Sequence, residues 1–151
     1  MPDTGVKQRP LETLPSGIST ALPPEKRPAD YDSIAAGYDA LVGNALYNRL
    51  VWGCRKSAYV DAIERFFETV PDGDVLDFGC GSLVFSAGAY RGREHRLTLF
   101  DRSLAMLERG QKRLPQGQFV QGDAFDPPFA PARYAGVMSW GMLHIFGTGS
   151  R

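Results

Sequence analysis

The chain has 151 residues, of which 43% are hydrophobic and 23% charged, enough apolar material for one domain with a core and too little bias for a disordered polymer. Seventeen Lys and Arg face seventeen Asp and Glu, so no global field exists to gather nucleic acid or an anionic membrane. Cys54 and Cys80 make neither a disulfide framework nor a zinc ligand set, and no leader or bilayer-length apolar run is present, which points to a cytoplasmic protein with no metal, no nucleic-acid partner and no membrane span.

Residues 1–29 carry Pro2, Pro10, Pro15, Pro23, Pro24 and Pro28 among polar and charged residues, a texture that opposes helix and ladder formation and predicts a disordered tail. The folded domain is then expected over 30–151. From Tyr31 the chain reads YDSIAAGYDALVG and YNRLVWGCRKSAYVDAIERFFETV, where Val60, Ile63, Phe66, Phe67 and Val70 recur at helical spacing, so two or three helices precede the first strand. Trp52 and Cys54 read as packing residues, and Arg55 and Lys56 as a solvated helix face. Pro71-Asp72-Gly73 stops the last of these helices.

Beyond that turn, strands and helices alternate. Strand VLDF (75–78) leads to a helix from Leu83 to about Tyr90, strand LTLF (97–100) to a helix from Leu104 to Leu114 capped by Ser103, and then strand QFVQ (118–121) follows. After the loop GDAFDPPFAPAR a fourth strand, YAGVMSW (134–140), is expected. The pattern predicts an α/β fold, a Rossmann-like parallel sheet with helices on both faces and ligands bound outside the carboxyl ends of the strands.

The first strand-to-helix turn reads Asp77-Phe78-Gly79-Cys80-Gly81-Ser82, a carboxylate followed by two glycines that allow a tight turn and close backbone approach. A dinucleotide fingerprint wants a third Gly where Val84 stands. Asp77, Asp101 and Asp123 each end a predicted strand and converge on one crevice. Three carboxylates repel a pyrophosphate and favour a ligand with a ribose diol, an amine, an ammonium group and a fixed positive centre.

These segments resemble the class I S-adenosylmethionine-dependent methyltransferases. VLDFGCGS is similar to their glycine-rich first motif, LTLFDRSLAML to their second strand with its ribose-binding acid, FVQGDAFDPPF to their third strand and adenine loop, and YDSIAAGYD to the opening helix of many small-molecule methyltransferases of this class. The likeness runs from about Tyr31 to Phe146. It implies S-adenosyl-L-methionine as cofactor and a small-molecule methyl acceptor. Asp77, Gly79, Cys80 and Gly81 would line the methionine part, with Ser139 nearby. Asp101 would accept the ribose hydroxyls, Arg102 would flank the adenine, Asp123 and the Ala124 N–H would meet its edge, and Tyr38 would close over the cofactor. Ser82-Leu83 stands where the family often has Gly or Thr-Gly.

No catalytic residue is assigned by the motifs. His144, after the fourth strand, is the one weak candidate for a general base, set against the commoner structural role of a lone histidine. The resemblance also implies a strand order of 3-2-1-4 and further strands past the fourth, with acceptor contacts in the N-terminal helices and in those later segments. The chain stops at HIFGTGSR, so the sheet is expected to be incomplete and its fourth strand to offer an edge for self-association or a partner. The alternatives to an active methyltransferase are a truncated cofactor-binding fragment without catalysis and a nucleotide-binding oxidoreductase of the same fold, the latter opposed by Val84 and the acidic crevice.

Overall fold

The computed structural model describes residues 9–51, 53 and 55–140, so Trp52, Cys54 and His144 lie outside the described residues. In chain order the elements are β1 (Glu12–Thr13), β2 (Ser19–Thr20), α1 (Ala35–Gly43), α2 (Ala45–Val51), α3 (Lys56–Thr69), β3 (Val75–Phe78), α4 (Ala87–Tyr90), β4 (Leu97–Asp101), α5 (Leu104–Arg113), β5 (Gln118–Gln121) and β6 (Gly136–Met138). They form one sheet in the order β1-β2-β5-β4-β3-β6. Its four parallel strands β5-β4-β3-β6 have the 3-2-1-4 order expected from the sequence, and a hairpin extends the sheet beyond it.

β3 and β4 read as nearly continuous apolar runs because both faces of each are covered. Successive side chains point to opposite faces, so Val75, Leu97, Leu99 and Phe119 meet Ile63 of α3, Ala89 and Tyr90 of α4, and Leu107 of α5 in one cluster. The other cluster, Leu76, Phe100 and Val120, is packed by Phe78 and by Phe129 and Tyr134 of the β5–β6 loop. Among the described residues, then, α3, α4 and α5 share one face, and an aromatic loop covers the opposite one. The Phe78 and Phe100 rings stack at 5.0 Å, and Phe129 meets Phe100 edge-on at 5.3 Å, a favourable arrangement for ring quadrupoles.

The N-terminal segment departs from its expected disorder. β1 pairs antiparallel with β2, and β2 lies parallel to β5, with Ser19 opposite Val120 and Thr20 opposite Gln121. Ile18, Thr20 and Leu22 are buried in strict alternation, with Ile18 at 0% exposure. The prolines escape conflict with the ladder because Pro15 sits in the hairpin turn and Pro23, Pro24 and Pro28 follow the strand. Gly17 completes that turn at φ +83°, where the Leu14 N–H donates to the Ile18 carbonyl at 2.8 Å.

One helix is shorter than its sequence suggests. α4 begins at Ala87 and not at Leu83, because Leu83 takes a left-handed φ of 58° that no helix accepts. Its side chain is buried, so core packing offsets the strain. By contrast α5 starts as expected, with Ser103 Oγ accepting from the Met106 N–H at 3.2 Å.

Because Ile18 is buried against the sheet, Ile18→Ala is expected to lower the unfolding free energy by about 2–5 kcal/mol in urea titrations. Unchanged stability would mean that the hairpin is not part of the folded core.

Candidate functional site

The chain leaves β3 through a loop bent over the end of β4. The Gly79 and Cys80 N–H groups both donate to the Phe100 carbonyl, at 2.7 and 3.0 Å, and Gly79, Gly81 and Leu83 all have positive φ. Leu83 therefore adopts a glycine-like conformation close to where the resemblance expects Gly. The bend brings Gly81 to Asp101. Asp101 Oδ2 accepts the Gly81 N–H at 2.8 Å, and Oδ1 accepts the Ser103 N–H at 2.9 Å. Burial pushes the Asp101 carboxyl above its ordinary value. The N–H groups of Ser103, Gly81 and Arg102 oppose that push, and the charge of Asp32 adds to it.

Behind this loop lies Asp77, only 1% exposed. Tyr90 Oη donates to its Oδ2 at 2.7 Å, while its buried Oδ1 has no hydrogen-bond partner among the described residues. Burial pushes Asp77 from 3.8 to about 7. Tyr90's hydrogen bond resists this and the Asp101 charge reinforces it. Among the described residues, Ser139 Oγ and Trp140 Nε1, just past β6, are also buried without hydrogen-bond partners, next to the strand position where Met138 faces Asp77. Unpaired buried polar atoms cost free energy unless something meets them. Burial, and then the charges of Asp101 and Asp77, push the Cys80 thiol well above its ordinary range, which makes it a poor nucleophile.

A pocket of about 420 Å³ opens at the carboxyl ends of the strands. Of the residues anticipated from sequence, Tyr38, Gly79, Gly81, Asp101, Arg102, Asp123 and Ala124 line it together. Asp77, Cys80 and Ser139 do not. Asp123 holds a tight turn, its Oδ1 accepting the Phe125 N–H at 2.9 Å. Sequence reasoning missed Pro28, Ala29, Asp30 and Tyr31, which line the pocket from the segment read as a tail and its junction, and Phe100, Met106, Phe125 and Trp140. Only Tyr31 gave a signal, at the start of the YDSIAAGYD motif; its ring meets Tyr38 edge-on at 6.4 Å.

Two acids of that motif dock the N-terminal helices. Asp32 Oδ1 accepts from Ser103 Oγ at 2.6 Å and from the Ala105 N–H at 3.2 Å, and Oδ2 accepts the Ala29 N–H at 2.8 Å. Asp39 accepts from Ser82 Oγ, from Arg113 at 2.7 Å and from Arg109 at 3.3 Å. Burial works against both carboxylates, yet these hydrogen bonds hold their pKa values below the ordinary one. The glycine loop, α1 and α5 are thereby tied together around the pocket. Arg102 turns its guanidinium to the backbone carbonyls of Lys26, Arg27 and Pro28. Among the described residues no group of His, Cys, Asp and Glu could hold a metal ion, and no helix is long and apolar enough to cross a membrane.

A parallel sheet with a glycine bend and an acid at the next strand end defines a Rossmann-like α/β class. The comparisons narrow it. The family model for the methyltransferase domain matches residues 75–151, about half of the chain, and the chain belongs to that family. DesVI of Streptomyces venezuelae shares the fold at 19% identity and a TM-score of 0.51, over 81% of this chain and 48% of that one. A Methanococcus maripaludis protein assigned as an S-adenosyl-L-methionine-dependent methyltransferase aligns at 18% identity and a TM-score of 0.53, over 79% of this chain and 53% of that one. The chain thus spans about half the length of these solved structures. No curated protein matches it in sequence.

Asp77 has a higher pKa folded than unfolded, so the stability it contributes is complete below its unfolded value of 3.8 and is lost as pH rises through about 7. Asp77→Asn, which stays neutral, is expected to match the wild type in urea unfolding near pH 4 and to exceed it at pH 8. Parallel pH profiles for the two proteins would contradict the buried, raised carboxyl.

Proposed function

We propose that the pocket binds S-adenosyl-L-methionine and that the chain directs its methyl group to a small-molecule acceptor. The observation that carries this is the placement of Asp101 in the pocket wall, joined to the glycine loop and accompanied by Asp123 on the same lining. Such a crevice suits a cationic nucleoside and opposes a pyrophosphate. α4, only four residues long and starting well after the glycines, gives a dinucleotide no helix N-terminus at the usual place. Membership of the methyltransferase-domain family supports the same reading.

The cofactor supplies a methyl group already activated by its sulfonium, which leaves the protein to bind, align and exclude water. Asp101 spends part of its acceptor capacity on backbone N–H groups and keeps further lone pairs for the ribose hydroxyls. Asp123 and the Ala124 N–H serve the adenine edge. Gly79 and Gly81 admit the ligand close to the backbone, and the unpartnered Asp77 Oδ1 and Ser139 Oγ suit the ammonium end once the loop adjusts. Tyr38, Met106 and Trp140 bring apolar surface that keeps water from the reacting groups.

The acceptor side is a proposal of the same kind. Exposed Leu41, Leu46, Leu50 and Val51 on α1 and α2 offer apolar surface for it, and His144 is retained as the general base for an acceptor that must lose a proton. Val137, 57% exposed on β6 at the margin of the described sheet, supports pairing of that edge with a second copy or a partner. A cytoplasmic location accompanies this reading.

Asp101→Ala removes an acceptor from the ribose and loosens Gly81, so its affinity for S-adenosylhomocysteine is expected to fall by about ten- to a hundred-fold in calorimetry. Transfer of a labelled methyl group should be seen with at least one member of a quinol, phenol and amine panel. Intact cofactor binding without turnover on any of these would set aside the transferase reading and leave a cofactor-binding chain.

A further inference from the structure

The segment between β2 and α1 runs across the outer side of the pocket, and its backbone is held by side chains of the sheet. Arg102 Nη1 donates to the Arg27 carbonyl at 3.0 Å and Nη2 to the Pro28 carbonyl at 3.1 Å and to that of Lys26. Gln121 has no exposed surface, and its amide bridges β2 and this segment: Oε1 accepts from Thr20 Oγ1 of β2 at 3.0 Å, and Nε2 donates to the Arg27 carbonyl at 2.8 Å and to the Arg102 carbonyl at 3.2 Å. If the segment left, the buried amide would lose its Arg27 partner, at a cost expected for a weakened buried hydrogen-bond set. Pro28, whose carbonyl is clasped, and Ala29 next to it line the pocket together with Arg102 itself.

We propose that Arg102 is a positioning residue: by clasping the carbonyl oxygens of Lys26, Arg27 and Pro28 it fixes the N-terminal strap as the outer wall of the nucleoside end of the pocket. This rests on the reading of the pocket as an S-adenosyl-L-methionine site. The guanidinium suits the task because its fork of donors can serve several carbonyls at once. It also accounts for an arginine in an otherwise acidic lining, since its donors are turned to the backbone. Gln121 Nε2 donates to the same Arg27 carbonyl, and the Arg27 side chain itself reaches Glu12 and the Leu22 carbonyl, so loss of the Arg102 side chain leaves the hairpin in place.

The test uses the full chain, its Arg102→Ala and Arg102→Lys variants, trypsin as a probe of the strap and S-adenosylhomocysteine as the ligand. Lys26 is exposed, and the Lys26–Arg27 bond lies within the clasped stretch, whereas the Arg27–Pro28 bond resists trypsin. Without ligand, Arg102→Ala should speed cleavage after Lys26 while the sites in α5, after Arg109, Lys112 and Arg113, keep their wild-type rates. Calorimetry should show S-adenosylhomocysteine bound about tenfold more weakly if the strap is closed only about a tenth of the time. Arg102→Lys, which keeps donors at the position, should recover part of both effects. Weaker binding with unchanged cleavage would overturn the proposal in favour of direct contact with the ligand, and so would faster cleavage at every site or no effect on either measurement. Failure of the wild type to bind S-adenosylhomocysteine would overturn the assignment of the pocket instead, and the ligand-free cleavage rates tell the two failures apart.

Discussion

The carboxylate of Asp101 ends β4 at the point where three pieces of chain must meet. One oxygen holds the Gly81 N–H of the bend after β3, the other the Ser103 N–H that opens α5, and its own backbone carbonyl accepts the Gly122 N–H beyond β5. A buried carboxylate is tolerated only where hydrogen bonds compensate its desolvation, and here the compensation is the loop geometry itself. The bend, the start of α5 and the turn into the Asp123 loop are therefore set by one side chain. That side chain also faces the pocket.

Around this joint the protein adds layers that carry no glycine signature. Asp32 reaches the N-terminus of α5, and Asp39 reaches Ser82 and two arginines of α5, so the helix that bears Tyr38 is docked by charge as well as by packing. Farther out, the hairpin and strap add two strands to the sheet and a wall to the pocket. The binding crevice thus sits between a rigid parallel sheet and an N-terminal cover attached by polar contacts. Alignment and water exclusion are the main demands of the proposed methyl transfer, and such a construction suits both.

Much of the sheet was legible in the sequence because its strands are short apolar runs bounded by turn residues. β3 and β5 fall on the expected residues, α5 begins at its expected cap, and seven of the anticipated site residues share one pocket. The N-terminus was misjudged because its prolines drew more weight than the alternation of Ile18, Thr20 and Leu22, a signal spread over only five residues. Leu83 hid the true start of α4, since a leucine gives no warning of a left-handed φ. The wall formed by Pro28 and Ala29 could not be read, because it depends on Arg102 and Gln121 reaching back across some seventy-five and ninety-four positions of chain. Asp77 was read as a strand-end acid lining the crevice with Asp101 and Asp123; its burial and its bond to Tyr90 belong to the packing of α4, which the sequence does not display.

The central claim is that an acidic, glycine-lined crevice selects a cationic nucleoside over a dinucleotide. Calorimetric titration of the chain with S-adenosylmethionine, S-adenosylhomocysteine and NAD tests it most directly. Saturable binding of the first two at one site per chain, with no heat from NAD beyond dilution, is the result predicted by the geometry around Asp101. Binding of NAD without response to the other two would contradict it.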